Sequence, residues 1–455
     1  MELAGKKVLV FGTGKSGIGA ADLLRKTGAD VILYDGNGNQ NSDEILGRLE
    51  NPNGVRIVLG NFPEKLMSDL DLAVLSPGVP TDLPEVLAMK AQGIRIWGEV
   101  ELAYETGKGT VLAITGTNGK TTTTSLLGEI MKAFRADVKV VGNIGTPYTS
   151  VALEETDDTV TVAEISSFQL ETIEKFHPMA SAITNITEDH LNRHHTMEEY
   201  IRVKELITKN QTMEDLCVLN YEDEILRPFG EQLKAEQKVQ VMYFSSLRAL
   251  EEGMYYQDGG IYLADENGTL LVTKTEDLKL LGLHNFENVM VAVAMALHAG
   301  VPMDTVRKVI RSFAGVEHRI EYVCEKDGIV YYNDSKGTNP DAAIKGIQAM
   351  NRPTLLIGGG YDKQSTYEEW IRAFDGKVRY LVLIGATKEK IAEAAREVGF
   401  TDILFAGDLK EAVQICHQKA NPGDAVLLSP ACASWDQFKS YEQRGELFKE
   451  YVRAL

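Results

Sequence analysis

Cysteine is scarce: Cys217, Cys324, Cys416 and Cys432 are the only four in 455 residues, and no two stand at Cys-x-x-Cys spacing. A disulfide framework or a zinc knuckle is therefore excluded as the organising device. Positive charge is also short, with 47 Lys and Arg against 66 Asp and Glu and a formal charge of -19. Nucleic-acid and anionic-membrane surfaces need clustered cations, so neither partner is expected. A basic pocket for a small anion stays open, because net charge is not a local field. Long apolar runs are missing as well: nothing approaches the ~20 residues of a membrane span. The first apolar run, Val8 to Phe11, leads into glycines and is far shorter than the core of a signal peptide. The expected location is the cytoplasm. Internal repeats and low-complexity tracts are absent too, which leaves an ordinary globular chain.

What is present is a rhythm. Short apolar strands alternate with helical patterns in KKVLVFG, DVILYD, VRIVLG, LDLAVLSPG and IRIW, and then again from TVLAITG and from GIVYYNDS onward. This βαβ alternation predicts mostly parallel sheets. The length implies about three domains on the usual prior of ~150 residues each. The predicted architecture is α/β, three doubly wound domains in series: 1–98, 99–314 and 315–455. Within the middle one, GMYYQDGGIYLADENGTLLVTK reads as an antiparallel hairpin added to the parallel core.

Two segments read as phosphate-binding turns. The first runs a strand into Gly12-x-Gly14-x-x-Gly17, with Asp35 ending the next apolar run, in the outline of a dinucleotide-binding turn. By itself it is weak. It fits NAD, any other nucleotide phosphate or a bare strand-to-helix turn, and nothing downstream supplies hydride-transfer machinery. The second, VLAITGTNGKTTTTSLL, is specific, because strand, glycine loop, Lys-Thr and helix arrive together. Backbone N–H groups of Gly116, Thr117, Asn118 and Gly119 would cradle phosphates, Lys120 would reach the β and γ phosphates, and Thr121 or Thr122 would hold magnesium. Ile114 stands where the longer GxxxxGK[ST] pattern has glycine, so this is a contracted GxxGKT loop.

Ionisable groups gather after the neighbouring strands. Glu164 ends TVTVAE, where a carboxylate at the C-terminal end of a strand is placed for magnesium or for capping the next helix. TNITEDHLNRHH brings Glu188, Asp189, His190, His194 and His195 close in sequence, although a hard cation prefers oxygen to imidazole. Lys204 falls in the apolar stripe of Tyr200, Val203 and Ile207. Two fates remain open for it: snorkelling along the core edge, or burial with a depressed pKa.

Taken in order along nearly the whole chain, ITGTNGKTT, GNIG, EISSFQLE, TNITEDHLNRH, GLHNFEN, HRIE, NDSKGTN and LSPACASWDQFKSYEQRG resemble the Mur ligases, the ATP-dependent amide ligases of peptidoglycan precursor synthesis. SSFQLE and the last of these segments resemble the branch that adds D-glutamate to UDP-N-acetylmuramoyl-L-alanine. The resemblance implies a Rossmann-like first domain that holds the UDP of the sugar substrate rather than NAD, a central ATP domain, and a Rossmann-like third domain for the amino acid. It implies UDP-sugar contacts at Gly14, Lys15, Ser16, Asp35, Ser76, Gly78, Asn143 and Ser166. ATP contacts are implied at the 116–122 loop and at Asn285, Asn288, Arg319 and Asp334. Lys336, Thr338, Lys363, Ser434, Trp435 and Tyr441 would receive D-glutamate. Two magnesium ions are implied on Thr121, Glu164, His190 and a carbamylated Lys204, with Lys120, His190 and Lys204 as the catalytic set. A monomer is expected.

Overall fold

A computed structural model describes residues 2–143 and 145–455, so Ile144 of the GNIG segment lies outside the described residues. Three sheets are present. The first orders its strands Arg56–Leu59, Asp30–Asp35, Lys7–Phe11, Leu72–Leu75, Arg95–Gly98, all parallel. Chain order reverses between Lys7–Phe11 and Leu72–Leu75. In a parallel sheet the crevice beyond the strand ends at such a reversal is where ligands sit. Gly12–Gly17 and Ser76–Gly78 both leave their strands there.

The second sheet has nine strands, in the order Gly268–Lys274, Gly260–Asp265, Gly253–Gln257, Gln240–Ser245, Leu216–Asn220, Ala180–Ile183, Thr110–Thr115, Val160–Glu164, Val138–Gly142. Its parallel part runs from Val138–Gly142 across to Gly253–Gln257. The expected hairpin is present, with Gly253–Gln257 antiparallel to Gly260–Asp265. Its two-residue loop, Asp258 at φ 46° and Gly259 at φ 77°, has the left-handed pair that suits the twist of a tight hairpin. A further strand, Gly268–Lys274, extends it outward.

The third sheet orders Glu321–Lys326, Ile329–Asn333, Ala425–Leu428, Thr354–Gly358, Val378–Leu383, Ile403–Phe405. Only its first pair is antiparallel. Apolar clusters lie on both of its faces, one around Trp370 and Leu381 and the other around Phe448 and Val413, as a doubly wound sheet requires.

The chain separates into two compact units, Met1–Val272 with Glu287–Val309, and Thr273–Phe286 with Ile310–Leu455. The first unit carries two sheets on a shared core that includes Val8, Leu33, Trp97, Val100, Leu170, Phe176 and Ile207. Helix Glu99–Thr106 welds them. Glu101 is fully buried and accepts the backbone N–H groups of Glu174, Lys175 and Phe176 at 2.8, 2.7 and 3.0 Å. A carboxylate that caps three amides is a strong, rigid joint. Among the described residues no helix is long and apolar enough to cross a membrane.

Candidate active site

The phosphate loop leaves strand Thr110–Thr115 and enters helix Lys120–Lys132. Two of its glycines are required by geometry. A Cβ on Gly116, whose φ is 140°, would stand 2.0 Å from Thr184 Oγ1; one on Gly119, whose φ is 87°, would stand 2.4 Å from Asn288 Oδ1. No side chain caps the helix start, so its first N–H groups are left for an anion, with Thr121 and Thr122 in the first turn. The segment after strand Ala180–Ile183 clamps the loop from the side. Asn185 Oδ1 accepts from the Asn118 amide at 2.9 Å, Thr184 Oγ1 donates to the Asn118 carbonyl at 2.5 Å, and Thr117 Oγ1 donates to the Thr187 carbonyl at 3.1 Å. Asn288 Oδ1 also accepts from Thr123 Oγ1 at 3.2 Å, which places it against the loop.

Two ammonium groups meet on one carbonyl. Lys120 Nζ donates to the carbonyls of Gly116 and Thr117, both at 2.9 Å, and Lys204 Nζ donates to Gly116 at 2.8 Å. Lys204 does not snorkel: it is 1% exposed, between the equally buried Tyr200 and Val203. Burial, and after it the nearby Lys120 charge, pull its pKa down to about 7, against a weaker opposing pull from Asp189. Tyr200 holds its hydroxyl 3.1 Å from Thr117 Oγ1 and its ring beneath the Lys204 ammonium, 4.7 Å from Nζ.

Glu164 ends strand Val160–Glu164 and is 2% exposed. Its Oε1 accepts from Asn143 Nδ2 at 2.7 Å, while Oε2 is buried with no hydrogen-bond partner. It does not cap the following helix, because Ser166 does so in a reciprocal capping box with Gln169. A buried carboxylate oxygen without a partner is costly unless something binds it, and a hard oxygen donor suits magnesium. His190, in the left-handed region at φ 55°, is exposed, and its ring lies 4.9 Å from that of Phe168. The other histidines of the segment have local partners: His194 Nε2 lies 2.9 Å from Ser167 Oγ, and His195 Nε2 lies 3.0 Å from Asp82 Oδ2.

A cavity of about 640 Å³ opens over the first glycine loop, lined by Gly14, Lys15, Ser16, Asp35, Ser76, Gly78, Asn143 and Gln169 among others. Seven of the eight residues assigned from sequence to the UDP-sugar line it; Ser166 adjoins through Gln169. Helix Lys15–Lys26 starts here without a side-chain cap, and Lys15 Nζ reaches the Gly145 carbonyl at 2.6 Å. Asp35 accepts from the amide and hydroxyl of Thr13, at 3.1 and 2.7 Å, and from the Asn37 amide at 2.9 Å. Burial pushes its carboxyl up, but these bonds prevail and hold it below the usual carboxylate range.

In the second unit, Lys336 and Thr338 lie between strand Ile329–Asn333 and helix Pro340–Ala349. Lys336 Nζ sits 5.4 Å from the centre of the Tyr441 ring, and Lys363 Nζ sits 5.2 Å from that of Trp435. Trp435 is 62% exposed, whereas its neighbour Ser434 is buried. Fully buried Arg444 fastens the two loops together, donating to the carbonyls of Ser335 and Cys432 at 2.9 and 3.1 Å. Asp334 is buried, and its carboxyl is pushed up to about 7 by burial against weaker pulls from Ser429, the Ile320 amide and Arg319. It accepts from Ser429 Oγ at 2.7 Å. Arg319 follows His318 in the turn before strand Glu321–Lys326. Asn285 Nδ2 donates to the Leu281 carbonyl at 2.7 Å and stands one turn before Asn288 on helix Leu283–His298.

Sequence reading missed the residues that hold the site in shape. Arg193 is one: it pairs with Glu171 at 2.6 Å and donates to the Val79 carbonyl at 3.0 Å, joining the His190 segment to the Ser76–Gly78 loop. Asn185 and Tyr200 are others. Their one sequence signal was position, directly after a strand end or inside an apolar stripe.

A strand-loop-helix turn with an uncapped helix start, a buried carboxylate at the adjoining strand end and a separate cavity of about 640 Å³ form the architecture of an α/β enzyme. Family models match this arrangement in chain order: the Mur ligase MurD-like N-terminal domain over residues 6–98, the Mur ligase middle domain over 114–296, and the Mur ligase glutamate ligase domain over 318–432. The chain belongs to the Mur ligase family. It is 56% identical over 455 residues to the UDP-N-acetylmuramoylalanine--D-glutamate ligase of Lachnoclostridium phytofermentans, covering 100% of this chain and 99% of that one. It is 53% identical to the enzyme of the same name from Lachnospira eligens, covering all of both. Among solved structures, a UDP-N-acetylmuramate-alanine ligase from Thermotoga maritima matches with a TM-score of 0.57 at 20% identity over 98% of this chain and 99% of that one, a likeness of fold.

Proposed function

We propose that the protein joins D-glutamate to UDP-N-acetylmuramoyl-L-alanine at the expense of ATP, as a monomer in the cytoplasm. The observation that carries this reading is the pairing of the Lys120 loop with Glu164, whose buried Oε2 lacks a partner, in a chain more than half identical over its whole length to ligases named for that reaction. The cavity over Gly14, Ser76 and Asn143 serves the UDP-sugar, so one nucleotide is a handle and the other is fuel. That use of the first glycine loop replaces the NAD alternative.

In the reaction, the alanine carboxylate of the sugar substrate attacks the γ phosphorus of ATP, forming an acyl phosphate and releasing ADP. The neutral amine of D-glutamate then attacks the acyl carbon. The tetrahedral intermediate collapses with loss of phosphate and a proton, leaving the amide. The first step brings two anions together, which Lys120 and the helix N-terminus offset. Two magnesium ions, when bound, neutralise phosphate charge and polarise the transferring group. Glu164, Thr121, His190 and Lys204 would hold them, and the partnerless oxygen of Glu164 fits that role. A lysine with a pKa of about 7 is substantially neutral at physiological pH. Its amine adds to carbon dioxide with loss of one proton, and the resulting carbamate supplies the anion that a cation requires. Asn285, Asn288, Arg319 and Asp334 complete the ATP contacts. Lys336 and Lys363 give the dicarboxylate its counter-charges, with Thr338, Ser434, Trp435 and Tyr441 beside them.

Phosphate release, followed by a coupled assay with ATP and magnesium, tests the whole reading. Release is expected only when the sugar nucleotide and D-glutamate are both present. Release without D-glutamate, or with neither, would mean an ATPase of another kind.

A further inference from the structure

Next to the large cavity lies a second space of about 10 Å³ that shares Ser76, Pro77, Val79 and Gln169 with it. Such a volume takes one water. Its wall includes Glu99, the first residue of helix Glu99–Thr106, which is 2% exposed and which no step of the reaction uses. Glu99 Oε1 accepts from Gln169 Nε2 at 2.6 Å, while Oε2 is buried with no hydrogen-bond partner. Gln169 Oε1 accepts in turn from the amide of Ser166 at 2.8 Å and from its hydroxyl at 2.9 Å. In the relay Glu99–Gln169–Ser166, Gln169 is the member that stands in the wall of both spaces.

The amide nitrogen of Gln169 carries two hydrogens. With one drawn to Glu99, its plane is set and the second is left for a ligand. Remove the acceptor at 99 and Nε2 loses the partner that holds it; the side chain is then tethered only at its oxygen. Arg193, also on the small space's wall, is committed to Glu171, so Glu99 has no cation to turn to.

We propose that Glu99 is a positioning residue for the sugar nucleotide: it holds the Gln169 amide so that its nitrogen faces an acceptor oxygen of that substrate. This rests on reading the 640 Å³ cavity as the sugar-nucleotide site. Either protonation state of Glu99 accepts the bond, so the role needs an acceptor and not a charge.

The decisive variants are Glu99→Met and Glu99→Gln, with steady-state KM measured for all three substrates. Met keeps the volume, removes the acceptor and relieves a buried partnerless oxygen, so the fold is retained. Losing one anchored hydrogen bond should raise KM for the sugar nucleotide about tenfold. KM for ATP and for D-glutamate should stay within about twofold of wild type, as should all three KM values in Glu99→Gln, which restores the acceptor. Gly78→Trp checks the underlying reading: Gly78 lines the cavity and a Cβ there meets nothing within 4 Å, so a bulky side chain can be added at the cavity wall without displacing backbone. If Gly78→Trp leaves the sugar-nucleotide KM unchanged, the cavity assignment falls and the inference with it. If Gly78→Trp raises it and Glu99→Met does not, the inference alone falls. It is equally overturned if Glu99→Met weakens all three substrates alike, or if Glu99→Gln behaves as Glu99→Met does.

Discussion

Lys204→Met, studied without magnesium or carbon dioxide, isolates the burial of one ammonium group. The lysine pKa is about 7 folded against an ordinary 10.5. The folded state therefore binds this proton less tightly than the unfolded chain does. Below pH 7 both states are protonated and the destabilisation is complete; as pH rises from 7 to 10.5 the folded lysine has lost its proton first, and the destabilisation is relieved. At 1.36 kcal/mol per pKa unit the full effect is about 5 kcal/mol, of which about half is recovered between roughly pH 6 and pH 9. Urea unfolding of wild type and variant at the two pH values reads the difference, and subtracting one protein from the other cancels the groups they share. Wild type should gain about 2–3 kcal/mol on the variant over that interval. Parallel pH profiles would show that Lys204 is not held neutral by the fold. The same amine accounts for modification: in labelled bicarbonate with magnesium, wild type should show a carbamate carbon resonance and Lys204→Met none, with activity of the variant reduced by about 10²-fold or more. Full activity in the variant would remove Lys204 from the reaction.

Lys120→Ala should lower kcat by about 10³-fold or more with little change in the unfolding midpoint, because the ammonium acts on charge that develops as the phosphoryl group moves; near-normal single-turnover acyl-phosphate formation would contradict this. Glu164→Gln should raise the magnesium concentration needed for half-maximal rate about tenfold or more, since the charged oxygen donor is replaced by a neutral amide; an unchanged magnesium titration refutes the ligand role. Lys363→Ala and Ser434→Ala should each raise KM for D-glutamate about tenfold and leave both nucleotides unaffected, and equal weakening of all three would move those residues out of the amino-acid pocket. Gly119→Ala meets a left-handed φ of 87° and a contact of 2.4 Å with Asn288 Oδ1, so stability and ATP affinity should both fall, by about 1–3 kcal/mol in unfolding free energy; a neutral effect would mean that the loop relaxes freely.

Much of the architecture was legible because its causes are local. Apolar runs that end in glycine or in polar strand-end residues located the parallel parts of the three sheets, since a strand covered on both faces by helices has to be apolar throughout. Strand, glycine, Lys-Thr and helix located the phosphate loop for the same reason: left-handed backbone at Gly119 and exposed helix amides are requirements on adjacent residues. The first glycine loop shows the limit. Gly12, Gly14 and Gly17 specify a tight turn against a helix and not a ligand, and only the motifs spread along nearly the whole chain favour a sugar nucleotide over NAD there.

Chemical environment was less accessible, because it is made by residues far apart in the chain. The stripe that contains Lys204 was visible, but whether its ammonium reached water was not; burial among residues far along the chain decides that, with Lys120, 84 positions earlier, adding a like charge and the carbonyl of Gly116 a hydrogen bond. Glu164 was placed by its strand end, yet its partnerless oxygen depends on Asn143 from the neighbouring strand's exit. Arg193 reached Val79, and Glu99 reached Gln169, only after two sheets had closed on one core. Sequence by itself thus determined which backbone turns and which functional groups this protein has, because those follow from neighbours along the chain. Tertiary structure alone decided their protonation, their orientation and which oxygen is left without a partner, because electrostatics and hydrogen bonding act through space.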